Sequence, residues 1–247
     1  MQAILVRVGV DQSYGQWNAP VDPRTGEFEY VPIPEKTTTL FHESCAKPYS
    51  LIEPRLQSFA LRNGLDLIRD LRCPAGLLGQ HMHLDPDFDH LTYGDVGDRR
   101  GSHIRRMDPD DILVFYSGLR PIAQCDHRLI YAIVGLFRVA EVVDASTIPR
   151  ERWNENAHTR KIKRGESDIV VRAKPRVSGL LQRCIPIGEM RDKAYRVTLP
   201  LLEAWGGLSV NNGYIQRSAR PPRFTDARKF ANWFEEQRPE FMHGHLH

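Results

Sequence analysis

The stretch RRGSHIRRMDPDDILVFYSGLRP (residues 99–121), with LIYAIVGLFRVAEVVD (residues 129–144) close behind it, decides the fold class. A basic, amphipathic lead runs into an Asp-Pro-Asp-Asp turn. Pro109 fixes φ there, and the neighbouring carboxylates can accept backbone N–H groups. ILVFYSG then reads as a strand rich in β-branched and aromatic residues. The second run is too long for an ordinary strand and is interrupted by Gly135. A bent strand, or two strands with a bulge at the glycine, accounts for it.

Outward from this centre, AILVRVGV (residues 3–10) alternates and reads as a strand. The Gly-, Pro-, Asn- and Asp-rich residues 11–26 must be loop. EFEYVPIP (residues 27–34) reads as a second strand, kept to an edge or a strand end by Pro32 and Pro34. Residues 35–62 suggest loop with a short helix, and GLDLIRDLR (residues 64–72) has near-helical apolar spacing. DIVVRA (residues 168–173) is a short strand. FTDARKFANWFEEQ (residues 224–237) is a helix with Thr225 as its expected N-cap and Ala227, Phe230, Ala231 and Phe234 on one face. GGLSVNNGY (residues 206–214) reads only as a tight turn, and the tail HGHLH (residues 243–247) as disordered. Strands outnumber long helices without βαβ alternation, so the expected class is α+β: a mixed, largely antiparallel sheet or barrel with flanking helices. One domain of 247 residues is expected, with a core near residues 99–145, an extension over 1–98 and a basic, helical region over 146–240.

An apolar fraction of 41% and a mean hydropathy of −0.45 fit a soluble globular chain. No apolar run would span a bilayer, and the N-terminal apolar patch is too short for a signal peptide, so a cytoplasmic protein without membrane contact is expected. Cys45, Cys73, Cys125 and Cys184 form no CxxC pair and read as reduced, mostly buried thiols. The net charge of +3 is modest, but its distribution is uneven. Residues 150–176 hold nine Lys/Arg against four Asp/Glu, and DRRGSHIRR (residues 98–106) holds four arginines against one aspartate. Such clusters suit phosphate binding or, equally, a solvated surface. GxGxxG, GxxxxGK[ST], GxSxG, HExxH and the zinc-deaminase pattern are all absent, and no cofactor is indicated.

Residues 99–144 resemble the core of PUA-like domains of the EVE and ASCH type, through RRMDPDDILVFYSG and IVGLFRVAEVVD. More widely, ILVRVGVDQSYG, FEYVPIPE, HLDPDFDHLTYGD, RRG and ILVFYSGLRP are similar to the third nucleotide-modification-associated domain family, linked to DNA base modification in bacteria and phages. The resemblance implies a role in modifying or recognising nucleobases, beside other proteins of such a system. The PUA-like likeness implies a ligand pocket beside the strand that ends in Tyr116, with that ring as a wall and Arg120 on a phosphate.

The densest polar segment is HMHLDPDFDHLTYGD (residues 81–95). On an extended chain His81, His83, Asp85 and Asp87 would share a face. The spacing fits neither HxHxDH nor an EF-hand loop, so metal binding through His81 and His83 is the minority reading. Asp85 and Asp87 are the leading candidates, as catalytic carboxylates or as acceptors for a base edge. A plain Asp-Pro-Asp turn, with Asp87 or Asp89 paired to Arg99 or Arg100, is the structural alternative. In VGVDQSYGQWNAP, Asp11 could act as a base or nucleophile, and Tyr14, Trp17 and Asn18 could stack on or read a base. An Asx-turn at Asp11 with Trp17 anchoring the loop is equally open. Arg99, Arg100, Arg105, His158, Arg160 and Lys161 are the candidate phosphate contacts. Three functions follow: a module that binds a nucleotide or flipped base of DNA, an enzyme acting on a base by carboxylate chemistry with or without metal, and a non-catalytic partner in a modification complex.

Overall fold

Strand β6 (Ile112–Pro121) and the fifteen-residue β7 (Ile130–Asp144) pair antiparallel, from Ile112↔Arg138 to Leu119↔Ile130. The register slips between Phe115↔Gly135 and Tyr116↔Ile133, leaving Val134 as an extra residue beside the glycine. The long run is therefore one bulged strand. In the computed structural model, which describes residues 1–36, 45–65, 71–98, 101–162, 164–216 and 220–242, Gly135 lies under the Phe88 ring. A Cβ there would meet Phe88 Cε1 at 2.6 Å. Glycine thus admits the ring while the bulge redirects the strand.

Before β6, the described chain forms β1 (Ala3–Arg7), β2 (Pro20–Val21), β3 (Ile33–Pro34), α1 (Glu53–Arg62), α2 (Ala75–Leu78), β4 (Met82–His83) and β5 (Thr92–Val96). After β7 come β8 (Asp168–Ala173), β9 (Gly179–Pro186), β10 (Gly188–Arg191), β11 (Ala194–Val197), α3 (Leu199–Ala204), α4 (Ala227–Glu236) and β12 (Phe241–Met242). The main sheet has eight strands, ordered β1-β6-β7-β8-β5 along its spine. β7 is its hub: β9 pairs with its first half and β8 with its second, while β6 takes the other edge. Among the described strands, β1 and β2 run parallel to their partner β6 and the other strand pairs are antiparallel. The class is α+β with a largely antiparallel sheet. Of the two expected forms, barrel or sheet, the described strands make an open sheet.

One apolar core extends from Ala3 to Phe234. Phe88, Phe115 and Phe137 pack edge to face with centroids 4.8–5.8 Å apart, and Tyr30 closes on Phe88 at 5.1 Å. These contacts fasten residues 84–91 to the face of the sheet.

Three local expectations need correction. EFEYVPIP is no continuous strand: Phe28 makes an isolated bridge to Val21 and only Ile33–Pro34 is extended pairing, because Pro32 and Pro34 lack the donors a ladder needs. The N-cap of α4 is Asp226, whose carboxylate accepts from the N–H groups of Arg228 and Lys229, and not Thr225. The segment after DIVVRA is richer than expected, holding β9 to β11 and α3. Most of the expected helix at 64–72 lies outside the described residues, as does the tail at 243–247. No helix among the described residues is long and apolar enough to cross a membrane.

Candidate functional site

Three chain segments bring polar groups together at one edge of the sheet. β3 pairs with β4 so that Ile33 faces His83, and the N–H of Glu35 donates to the His81 carbonyl. That pairing sets Glu35 Oε2 2.6 Å from His83 Nδ1. The chain then turns through Asp85, Pro86 and Asp87, with Phe88 pinned in the core and reciprocal N–H to carbonyl bonds between Asp87 and Thr92. β5 follows, pairing with β8. The third segment carries His158, whose N–H donates to Asn156 Oδ1 while Asn156 Nδ2 donates to Thr92 Oγ1.

At the centre, Asp85 Oδ1 accepts from the Gly94 N–H. Its other oxygen, Oδ2, faces two imidazoles: His158 Nε2 at 3.6 Å and His83 Nε2 at 3.8 Å. Both contacts are too long for direct hydrogen bonds. His158 Nδ1 lies 3.1 Å from Asp168 Oδ2, and the two rings meet edge to face at 5.6 Å. The side chains of His83, Asp85 and His158 retain 13%, 8% and 10% of their exposure, so the cluster is sheltered yet reachable. Gly94 is required by proximity: a Cβ there would sit 2.4 Å from His158 Cδ2.

The charges answer one another. Burial pushes Asp85 up, but the two imidazoles outweigh it and hold it below the usual carboxylate range. Burial likewise raises Asp168, and His158 brings it down. Burial favours neutral His158, but Asp168 and Asp85 hold its proton, to about 9. His83 is raised in the same way by Asp85 and Glu35, against burial. Asp95, the residue after Gly94, moves the other way: burial and the Asp85 charge raise it, although it accepts from the Tyr93 hydroxyl at 3.2 Å. A depressed and a raised carboxyl side by side are the arrangement acid/base chemistry uses. Among the described residues, His83, Asp85 and His158 form a group able to hold a metal ion, their donor atoms all within 4.8 Å of one another.

The sequence-derived candidates scatter around this centre. His83 and Asp85 belong to it. His158 belongs too, but as a partner of two carboxylates and not on an exposed phosphate surface. His81 is exposed and outside the group. Asp87 points away into a buried ion pair with Arg160 at 2.6 Å, and also caps the turn through the N–H groups of Asp89 and His90. Arg160 is 3% exposed and also donates from Nε and Nη2 to the Asn154 carbonyl, so it is engaged inside the fold and not on a phosphate-facing surface. Asp11 accepts from the N–H groups of Ser13 and Tyr14 and pairs with Arg7 at 2.8 Å, an Asx-turn. Trp17 is buried, and Asn18 donates to the Gly118 carbonyl. Tyr14 is exposed under Lys36, and Arg120 is exposed. Tyr116 is 1% exposed, with its hydroxyl donated to the Ile215 carbonyl, so its ring offers no face to a ligand. Arg105 binds Asp144 and the carbonyls of Gly97 and Ser167, and Lys161 is half-buried. Arg99 and Arg100 lie outside the described residues.

Glu35, Asp95, Asn156 and Asp168 were not singled out from the sequence, although Glu35 and Asp95 close two of the quoted stretches; strand pairing and a loop distant along the chain bring them to the site. Within the basic run at 150–176, four side chains are matched by carboxylates, through Arg152–Glu155, Arg160–Asp87, Arg172–Glu155, Arg172–Glu141 and Lys174–Asp110. A different basic patch appears where His103 stands among Arg106, Arg220 and Arg223, with burial and those charges lowering its pKa.

Comparison with known proteins places the chain. A solved structure, the N-terminal domain of Thermococcus gammatolerans McrB bound to m5C DNA, is similar over 96% of this chain and 98% of that one, at 11% identity and a TM-score of 0.35. That likeness is too loose to assign a ligand. No curated protein matches. The model of nucleotide modification associated domain 3 matches residues 2–231. The chain belongs to the nucleotide modification associated domain 3 family.

Proposed function

We propose that this chain carries out a chemical step on a base or nucleotide within a DNA-modification system, with His83, Asp85 and His158 at the reacting centre and Asp95 as the group able to carry a proton. The observation behind this reading is the convergence of both Nε2 atoms on one carboxylate oxygen, each ring backed at Nδ1 by a second carboxylate. Paired charges of this kind are costly to bury and are kept where chemistry needs them. Family membership supports nucleotides as the substrate class. The resemblance of residues 99–144 to PUA-like domains, and the basic patch around His103, support DNA as their carrier.

The test incubates the full chain with duplex and single-stranded DNA and with free nucleotides, then measures digested nucleosides by mass spectrometry. A mass change that disappears in Asp85→Asn and His158→Gln, with thermal midpoints kept within a few degrees, supports the proposal. Unaltered nucleosides with tight DNA binding would sink it in favour of a reader of modified bases. Tyr14, exposed beside its loop, is then the ring to examine for stacking.

A further inference from the structure

We propose that His83 Nε2, Asp85 Oδ2 and His158 Nε2 are ligands of one divalent first-row transition metal ion of the zinc type. The inference rests on reading this cluster as the chemical centre, but its test needs no substrate. Spacing is the first argument. Metal–ligand bonds of about 2.0–2.1 Å in a tetrahedral shell put neighbouring ligand atoms about 3.4 Å apart. The two separations to Asp85 Oδ2 are 3.6 and 3.8 Å, too long for hydrogen bonds and close to the edges of such a shell.

Orientation is the second, independent argument. Metal-bound histidines direct their other ring nitrogen to a carboxylate, carbonyl or water, which fixes the tautomer and leaves the coordinating nitrogen bare. His83 does so through the hydrogen bond of its Nδ1 with Glu35 Oε2 at 2.6 Å; His158 Nδ1 has Asp168 Oδ2 beside it at 3.1 Å, off the line of a hydrogen bond, so that carboxylate is the group a small ring rotation would engage. Asp85 is aligned too, because Gly94 N–H occupies Oδ1 and leaves Oδ2 to the imidazoles. Two imidazoles and a carboxylate select a transition metal over magnesium or calcium, which prefer all-oxygen shells. Three protein ligands leave a position open for water or substrate, the pattern of a catalytic rather than a structural ion.

The test must separate this site from the tail histidines His243, His245 and His247. The full chain carrying His243→Ala, His245→Ala and His247→Ala is stripped with chelator and titrated with zinc by calorimetry, and with cobalt(II) by visible absorption. The expected result is one equivalent of zinc and a low-symmetry cobalt spectrum. Asp85→Asn and His158→Gln should each weaken binding at least 100-fold, and Glu35→Gln by about 10–100-fold. A cobalt spectrum like that of the free aqueous ion in the tail-substituted chain overturns the proposal, and needs no site variant to fold. So does zinc binding that is unchanged in Asp85→Asn. A loaded site without activity on any nucleotide would remove the proposed function and leave the metal site standing; activity in fully stripped protein would do the reverse.

Discussion

Asp87 and Arg160 illustrate how a single residue changes meaning once its partner is known. In sequence they are a candidate catalytic acid and a candidate phosphate contact; in the fold they are a buried pair with side chains 1% and 3% exposed. Arg160→Ala should therefore lower unfolding stability by about 3–5 kcal/mol, because the carboxylate is left buried and unpaired. Urea titration checks this, and a change below about 1 kcal/mol would point to a surface role. Gly94 is the complementary case. Gly94→Ala should displace His158 and lower the thermal midpoint, by about 1–3 kcal/mol of stability. An unshifted His158 imidazole signal in NMR would refute the close approach. Asp85 was legible as a candidate because it stands in a dense His/Asp segment. His158 was legible only as part of a basic loop, since Asp85 reaches it from a segment far away in the chain and Asp168 only by way of β8.

Elements were easier to read than their edges. β6 and β7 are apolar enough to announce themselves, and Gly135 marked the bulge because a side chain there would collide with Phe88. The apolar face of α4 was equally clear from its spacing. Its cap was not, since Thr225 and Asp226 are both good N-caps and the backbone decides between them. Asp226→Ala should cost about 1 kcal/mol, and Thr225→Ala much less; thermal melts of the two distinguish the caps. The turn after β2 offers a pH test. Burial raises Asp22, but the Arg24 N–H, the Thr25 hydroxyl and the Arg24 guanidinium prevail and hold it below its usual value. Its folded pKa lies below the unfolded one, so its contribution is present above about pH 3.9 and is lost as pH falls through the folded value. Asp22→Asn should flatten that part of the acid limb of stability; an unaltered limb would deny Asp22 the role.

For the whole molecule, the proposed role on DNA is tested through charge. Arg152, Arg160, Arg172 and Lys174 of the 150–176 run are engaged in ion pairs, and the surface around His103, Arg106, Arg220 and Arg223 gathers like charges that suit a phosphate contact. The logarithm of DNA affinity should fall linearly with log salt, and Arg106→Ala or Arg223→Ala should each reduce that slope by about one. A slope unchanged in both variants would move the interface elsewhere. The α+β class, the hub strands and the apolar stripe of the last helix were determined by sequence alone, because they depend on periodicity, and periodicity is local. Which polar residues would meet was decided only by the tertiary structure. Asp85, Asp87, His83 and His158 all carry suitable chemistry, and nothing local distinguishes them. The β3–β4 and β5–β8 pairings, Phe88 set against Gly135 and the space over Gly94 gather three of them around one oxygen, and turn the fourth into the core to hold Arg160.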